Sequence, residues 1–205
     1  GLDRINISLD TIDPQRYAAL TRRDRLSHVL EAIAAAADAG LNPVKINAVV
    51  MPGVNEEDIV PLADYALHQG AQLRFIEQMP LGPREKWRRE DMVTADDILL
   101  RLQDHFSMRP AREPRGSAPA ALWDAIAPDG TAGKLGIIAS VTHPFCGDCD
   151  RTRLTTDGAV RNCLFGNSET QLRDLMRSGA SDEELMEAWA GEMWTKNPGH
   201  GIDDE

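Results

Sequence analysis

Three short aliphatic runs, each followed by residues with helical spacing, set the narrowest limit on how this chain can fold. Arg4 to Asp10 alternates apolar Ile5, Ile7 and Leu9 with polar Asn6, Ser8 and Asp10. That two-residue period marks a strand with one polar face. Pro43 to Met51 is rich in β-branched residues, and Leu73 to Met79 forms a third strand-like run. A short helix should start at Asp13-Pro14. Between Leu26 and Ala39, the residues Leu26, Val29, Leu30, Ile33 and Ala37 follow helical spacing, with Gly40 as the stop. Asn55 is placed to cap the next helix, with Glu56, Glu57 and Asp58 in its first turn and Gly70 at its end. Pro61 should bend that helix or cost it a hydrogen bond. Strand, helix and strand joined by short links imply parallel pairing and an α/β fold. Three such units cannot close a barrel, and the first strand has an unpaired edge. Further chain is therefore expected before it.

Beyond the third run the pattern loosens. Arg84 to Glu90 is charged and expected to be exposed, with Trp87 as its anchor. Thr94, with Asp97 three residues on, caps a helix in TADDILLRLQDHF. Met108 to Ala120 reads as a connector, and its Arg109, Arg112 and Arg115 as solvated loop residues or phosphate contacts. Ala121 to Ala127 and Leu135 to Val141 should form a hairpin around Pro128-Asp129-Gly130. Ser168 with Gln171, and Ser181 with Glu184, fit capping boxes for two last helices. Their apolar stripes include Leu172, Leu175, Met176, Leu185, Met186, Trp189 and Met193 and should be packing faces. The chain past Trp194 is thinly patterned. Two domains are expected, residues 1–107 and 108–205.

All three cysteines, Cys146, Cys149 and Cys163, fall within eighteen positions. Two residues separate the first pair, and thirteen separate Cys149 from Cys163. A C-x-x-C turn aims two thiolates at one metal, and a third cysteine can return to it across the Asp157-Gly158 turn. Three sulfur ligands would leave one position open for substrate. Structural zinc with His143 as fourth ligand remains a rival, as do a disulfide with a spare thiol or plain buried thiols. Arg151 and Arg153, two apart in an extended segment, can face one side together. Guanidiniums beside a thiolate-held metal suit an anionic, phosphorylated substrate; a solvated face paired with nearby aspartates is the plainer alternative.

Composition narrows the partners. A net charge of −11 argues against nucleic-acid or membrane-surface binding through bulk charge. Hydrophobic content of 42% supports a genuine core. No apolar run is long enough to span a membrane. Few, clustered cysteines suit a reducing cytoplasm.

Phe145 to Leu164 reads F-C-x-x-C-x-R-x-R-L-T-x-D-G-x-x-x-x-C-L. This resembles the C-terminal cluster motif of the molybdenum cofactor biosynthesis protein A family, radical S-adenosylmethionine enzymes that act as GTP 3′,8-cyclases. INISLDTIDPQRYAALTRRDRL, PVKINAVVMPGVNEEDI and LRFIEQMPLG are similar to the same family in the same order. The resemblance implies the C-terminal part of a (βα)6 TIM-type radical barrel, followed by an α+β extension carrying an auxiliary cluster. Cys146, Cys149 and Cys163 would hold a [4Fe–4S] cluster whose free iron binds guanine. Arg151, Thr152, Arg153 and Lys45 would contact GTP, and Ser8 and Met79 would contact S-adenosylmethionine. Read alone, Ser8 is a strand hydroxyl, Lys45 a snorkelling lysine and Met79 core filler. The family's N-terminal C-x-x-x-C-x-x-C, which holds a second [4Fe–4S], has no counterpart here, nor does its double-glycine tail. The chain is therefore expected to be a fragment that does not itself cleave S-adenosylmethionine. The resemblance leaves a homodimer open and links the product to cyclic pyranopterin monophosphate synthase. Another radical enzyme with an auxiliary cluster, or a zinc-stabilised non-catalytic module, are the alternatives.

Overall fold

The computed structural model describes residues 1–81, 87–166 and 168–199. They divide into two compact units, Gly1–His143 and Pro144–Glu205. The first is built on one sheet. Strands β1 (Ile5–Ser8), β2 (Val44–Val50) and β3 (Gln72–Glu77) are joined by helices α1 (Pro14–Thr21), α2 (Leu26–Asp38) and α3 (Ile59–His68). Then come α4 (Ala95–Gln103), β4 (Ser107–Pro110), β5 (Ala121–Ile126) and β6 (Ala132–Ile138). The sheet order is β1-β2-β3-β6-β5-β4. The expected parallel pairing of β1, β2 and β3 is present, and β6 adds a further parallel strand beside β3. β5 and β4 run antiparallel at the far side. Because β4 to β6 continue this sheet, the units part at His143 rather than at the expected 107/108 boundary.

The two faces of β2 and β3 differ sharply. Val44, Ile46, Ala48, Val50, Leu73 and Phe75 are buried. They belong to one core with Ile33 of α2, Leu62, Ala63 and Ala66 of α3, and Ile98 and Leu102 of α4. Each large side chain so buried stabilises the fold by about 1.5–3 kcal/mol. The alternate residues, Asn6, Ser8, Lys45, Asn47 and Arg74, occupy the opposite face.

Local chemistry explains where the elements depart from expectation. Asn55 does not cap α3. Its side chain accepts from the Met51 N–H at 2.7 Å and donates to the Asp10 and Val49 carbonyls at 2.8 and 2.9 Å. It thereby ties the loop after β2 to the end of β1. A 3-10 turn at Glu56–Asp58 precedes α3, so Pro61 falls in the first helical turn, where its missing N–H costs nothing. The stretch expected to be a connector begins with β4. The hairpin turn is tighter than expected, closed by the Ala127 N–H on the Thr131 carbonyl at 2.8 Å, and β6 therefore begins at Ala132. Thr94 and Asp97 form the expected capping box of α4. Trp87 does anchor its segment, donating to the Gln78 carbonyl at 2.9 Å, and Arg88, Arg89 and Glu90 are exposed as expected; residues 84–86 of that stretch lie outside the described residues.

The second unit pairs β7 (Arg153–Leu154), β8 (Ala159–Arg161) and β9 (Thr170–Gln171) antiparallel, followed by α5 (Leu172–Arg177) and α6 (Asp182–Trp194). Ser181 and Glu184 cap α6 as expected. Ser168 does not cap α5: its hydroxyl donates to the Glu192 carboxylate at 3.3 Å. Leu172, Met176, Leu185, Met186 and Trp189, expected as packing faces, instead line an open apolar groove of this unit. Met176 is 59% and Met186 67% exposed.

Candidate metal centre and anion-binding face

Cys146 opens a 3-10 turn, Cys146–Asp148, closed by the Cys149 N–H on the Cys146 carbonyl at 3.2 Å. The turn rests on Phe145, which is buried. Cys163 follows β8 and returns towards this turn because Thr155–Gly158 reverses the chain, with the Gly158 N–H on the Thr155 carbonyl at 3.0 Å. All three thiols are half-buried and free of disulfides. Burial, and after it the charges of Cys163 and Cys149, push the Cys146 thiol up. The Cys146 thiol thus feels the charge of both other cysteines. Among the described residues, no three His, Cys, Asp or Glu side chains are arranged to hold a metal ion. His143, the candidate fourth zinc ligand, faces the Asp96 carboxylate at 3.6 Å.

Cations surround the sulfurs. Arg151 Nε donates to Cys149 Sγ at 3.3 Å, and its guanidinium lies 4.8 Å above the Phe145 ring centre. Burial raises the Cys149 thiol, but hydrogen bonds and charge from Arg151, with Lys196, outweigh it and bring the thiol below its ordinary value. Lys196 Nζ also donates to the Arg151 carbonyl at 2.7 Å. Arg153 begins β7 opposite Arg161. Thr152 Oγ1 is 3.5 Å from the Arg161 carbonyl, too long for a strong bond. Spacing alone placed the two arginines as a pair. The structure ties Arg151 to the cysteine turn and builds Arg153 into a strand.

The first unit holds a separate basic feature on the polar face of its sheet. Lys45 stands between Asn6 and Gln72, and Arg74 lies beside Asn47 in register. Arg74 donates to Asn47 Oδ1 at 2.9 Å and to Asn6 Oδ1 at 2.6 Å. Both partners are neutral. Among the described residues neither Lys45 nor Arg74 is paired with a carboxylate. Burial, then the charges of Arg74 and Arg4, hold the Lys45 ammonium below its usual range. Two crowded cations without a carboxylate partner leave this face of the sheet locally positive. Ser8 ends β1 on this same face, exposed, and Met79 follows β3 half-buried. Arg74 was missed in the sequence because the two faces of the third strand were not told apart. Its alternation with Leu73 and Phe75 was the available signal.

Glu77 was also missed. It is fully buried at the end of β3. Its carboxylate accepts from the N–H groups of Ala95, Val141 and Thr142 at 2.7, 2.8 and 3.0 Å, and from the Thr142 hydroxyl at 2.5 Å. It locks the start of α4 and the segment after β6 to the strand end that precedes Met79.

Residues 71–202 match the Molybdenum Cofactor Synthesis C family, and residues 1–66 match the Radical SAM superfamily. The chain is 70% identical over 207 residues to a protein of Corynebacterium glutamicum (strain R) named GTP 3′,8-cyclase, covering all of this chain and 55% of that protein. It is 57% identical to a Mycobacterium ulcerans protein and 54% identical to a Mycolicibacterium smegmatis protein of the same name, covering 57% of each. The chain thus spans about half the length of the curated relatives it matches.

Proposed function

The chain belongs to the Molybdenum Cofactor Synthesis C family, and from that we propose that it serves GTP 3′,8-cyclisation, the reaction for which its relatives are named. The observation that carries this reading is the unneutralised Lys45–Arg74 pair on the polar face of the sheet, in a chain that also sets Arg151 against Cys149, one of its three cysteines. An acidic protein that leaves two cations unpaired on one face is built to meet an anion there.

Cys146, Cys149 and Cys163 would hold a [4Fe–4S] cluster. The donors fit it: three free thiols in mutual electrostatic reach, one already hydrogen-bonded by an arginine. Ser8 and Met79 would contact S-adenosylmethionine, which supplies the hydrogen-abstracting radical when bound. The parallel run β1-β2-β3-β6 would be a wall of a (βα)6-type barrel, with Ser8 and Met79 at the strand ends where barrel chemistry sits. The chain past His143 would be the auxiliary-cluster extension.

The remaining work belongs to the chain's own side chains. Lys45 and Arg74 would bind phosphate oxygens of GTP in the first unit, Arg74 pre-oriented by Asn6 and Asn47. Arg151, Thr152 and Arg153 would bind GTP in the second. A radical attacks whichever hydrogen is held in contact with it, so fixing the nucleotide supplies most of the selectivity. Holding water out of the site protects the same step.

Equilibrium dialysis of anaerobically reconstituted chain against GTP tests this. Lys45→Ala and Arg74→Ala should each weaken binding roughly tenfold or more, a loss of at least about 1.4 kcal/mol. Absence of saturable GTP binding, or affinity unchanged in both variants, would overturn the assignment.

A further inference from the structure

The end of α6 approaches the cysteine turn in a way that the proposed function does not use. Asn162, the buried residue before Cys163, donates to the Glu192 carbonyl at 3.1 Å and to Thr195 Oγ1 at 2.9 Å. Thr195 Oγ1 returns a bond to the Glu192 carbonyl at 2.8 Å. The Glu192 carboxylate, buried, accepts from Thr170 at 2.9 Å, fastening the helix to β9 as well. The next residue along is Lys196, whose N–H closes on the Met193 carbonyl at 3.2 Å. Its Nζ then reaches the Arg151 carbonyl at 2.7 Å. Forty-five positions separate these two residues in sequence, so the contact is made by the fold and not by local chain geometry.

A lysine with a long flexible stem is a poor choice for holding one carbonyl in water, where the net gain of a single hydrogen bond is small. It becomes a good choice where its charge has a second use. Here the second use is at hand: held on the carbonyl of Arg151, two residues from Cys149, the ammonium places its charge where both Cys149 and Cys146 feel it. We propose that Lys196 is a positioning residue of the three-cysteine site, clamping the backbone of Arg151 and offsetting the negative charge of the ligand sulfurs. The clamp fixes the segment between Cys149 and Arg153, so the same contact that steadies the sulfurs also aims the arginines. Outer hydrogen bonds and charges of this sort govern both retention of a cluster and its reduction potential. The proposal rests on the cluster assignment above, and its test separates the two.

The test compares full chain carrying Lys196→Met or Lys196→Arg with the unaltered protein, all reconstituted anaerobically with iron and sulfide. Two quantities are read: the rate of iron loss to a chelator, and the reduction potential of the cluster. Lys196→Met, of similar length but uncharged, should lose iron about tenfold faster and show a lower potential, because the added electron is no longer stabilised by a neighbouring cation. Lys196→Arg should restore both towards the original values. A Lys196→Met protein matching the original in both readouts would overturn the proposal, as would a Lys196→Arg protein sharing the full potential shift of Lys196→Met. Unaltered chain that takes up no cluster would sink the cluster assignment itself, a result distinguishable from either.

Discussion

Glu77 shows how much of this fold rests on single polar groups inside the core. Its carboxylate serves four donors from two segments that are far apart in sequence. Glu77→Ala leaves those donors buried without an acceptor. The expected cost is about 3–5 kcal/mol, seen as a lower urea midpoint with an unchanged slope; a loss under about 1 kcal/mol would contradict the role. A second residue-scale prediction concerns pH. His68 bridges the Asp64 carbonyl and the Asp129 carboxylate, both at 2.8 Å, pinning the end of α3 to the β5–β6 turn. The Asp64 carbonyl first, and Asp129 next, raise the His68 pKa above its usual 6.5. The Thr131 N–H, and then His68, lower Asp129 to about 2. A raised histidine stabilises fully below 6.5 and loses that contribution as pH climbs through its folded value. A depressed aspartate contributes above 3.8 and fades as pH falls towards 2. The pin should therefore be strongest between these limits. NMR titration of the His68 ring should give a midpoint above 6.5 that falls in Asp129→Asn; a midpoint at or below 6.5 in the unaltered protein rules the pin out.

Among the elements, the β7–β8 turn is the most exacting. Gly158 has φ +83°, and a Cβ there would lie 2.4 Å from the Arg173 Cβ. Its carbonyl also accepts from the Arg173 N–H at 3.0 Å, which seats the start of α5. Gly158→Ala must strain the backbone and push α5 away, at roughly 2–4 kcal/mol. Hydrogen exchange should quicken between Thr155 and Arg173 while amides of the first sheet keep their protection. Unchanged exchange across the turn would refute this. Most elements were legible because period and punctuation agreed: the alternation of β1, the Thr94 and Ser181 boxes, the Asp129-Gly130 turn. The failures have separate causes. Asn55, Ser168 and Pro61 carry the right chemistry for a local role, and in two of them a partner from elsewhere in the fold, Asp10 or Glu192, outcompeted it. Pro61 was misread because the 3-10 turn before α3 shifted the helix start. β4 escaped notice because a short edge strand ending in proline has almost no pattern of its own.

At the scale of the whole molecule, the sequence showed the sulfurs and the structure showed what surrounds them. Spacing marked Cys146, Cys149 and Cys163, and resemblance supplied Lys45, Ser8 and Met79. Arg74 had its alternation as a signal, whereas Glu77 and Lys196 became visible only through long-range contacts that no linear pattern encodes. Each unit brings one cationic feature, the Lys45–Arg74 face in the first and Arg151 beside Cys149 in the second. Among the described residues no helix is long and apolar enough to cross a membrane. The central claim is that the three cysteines hold iron and inorganic sulfide rather than zinc. Anaerobic reconstitution of the full chain followed by metal and sulfide analysis tests it most directly. The account predicts a brown protein with equal iron and acid-labile sulfide, both lost in Cys163→Ala. A colourless protein holding stoichiometric zinc through the same cysteines would contradict it.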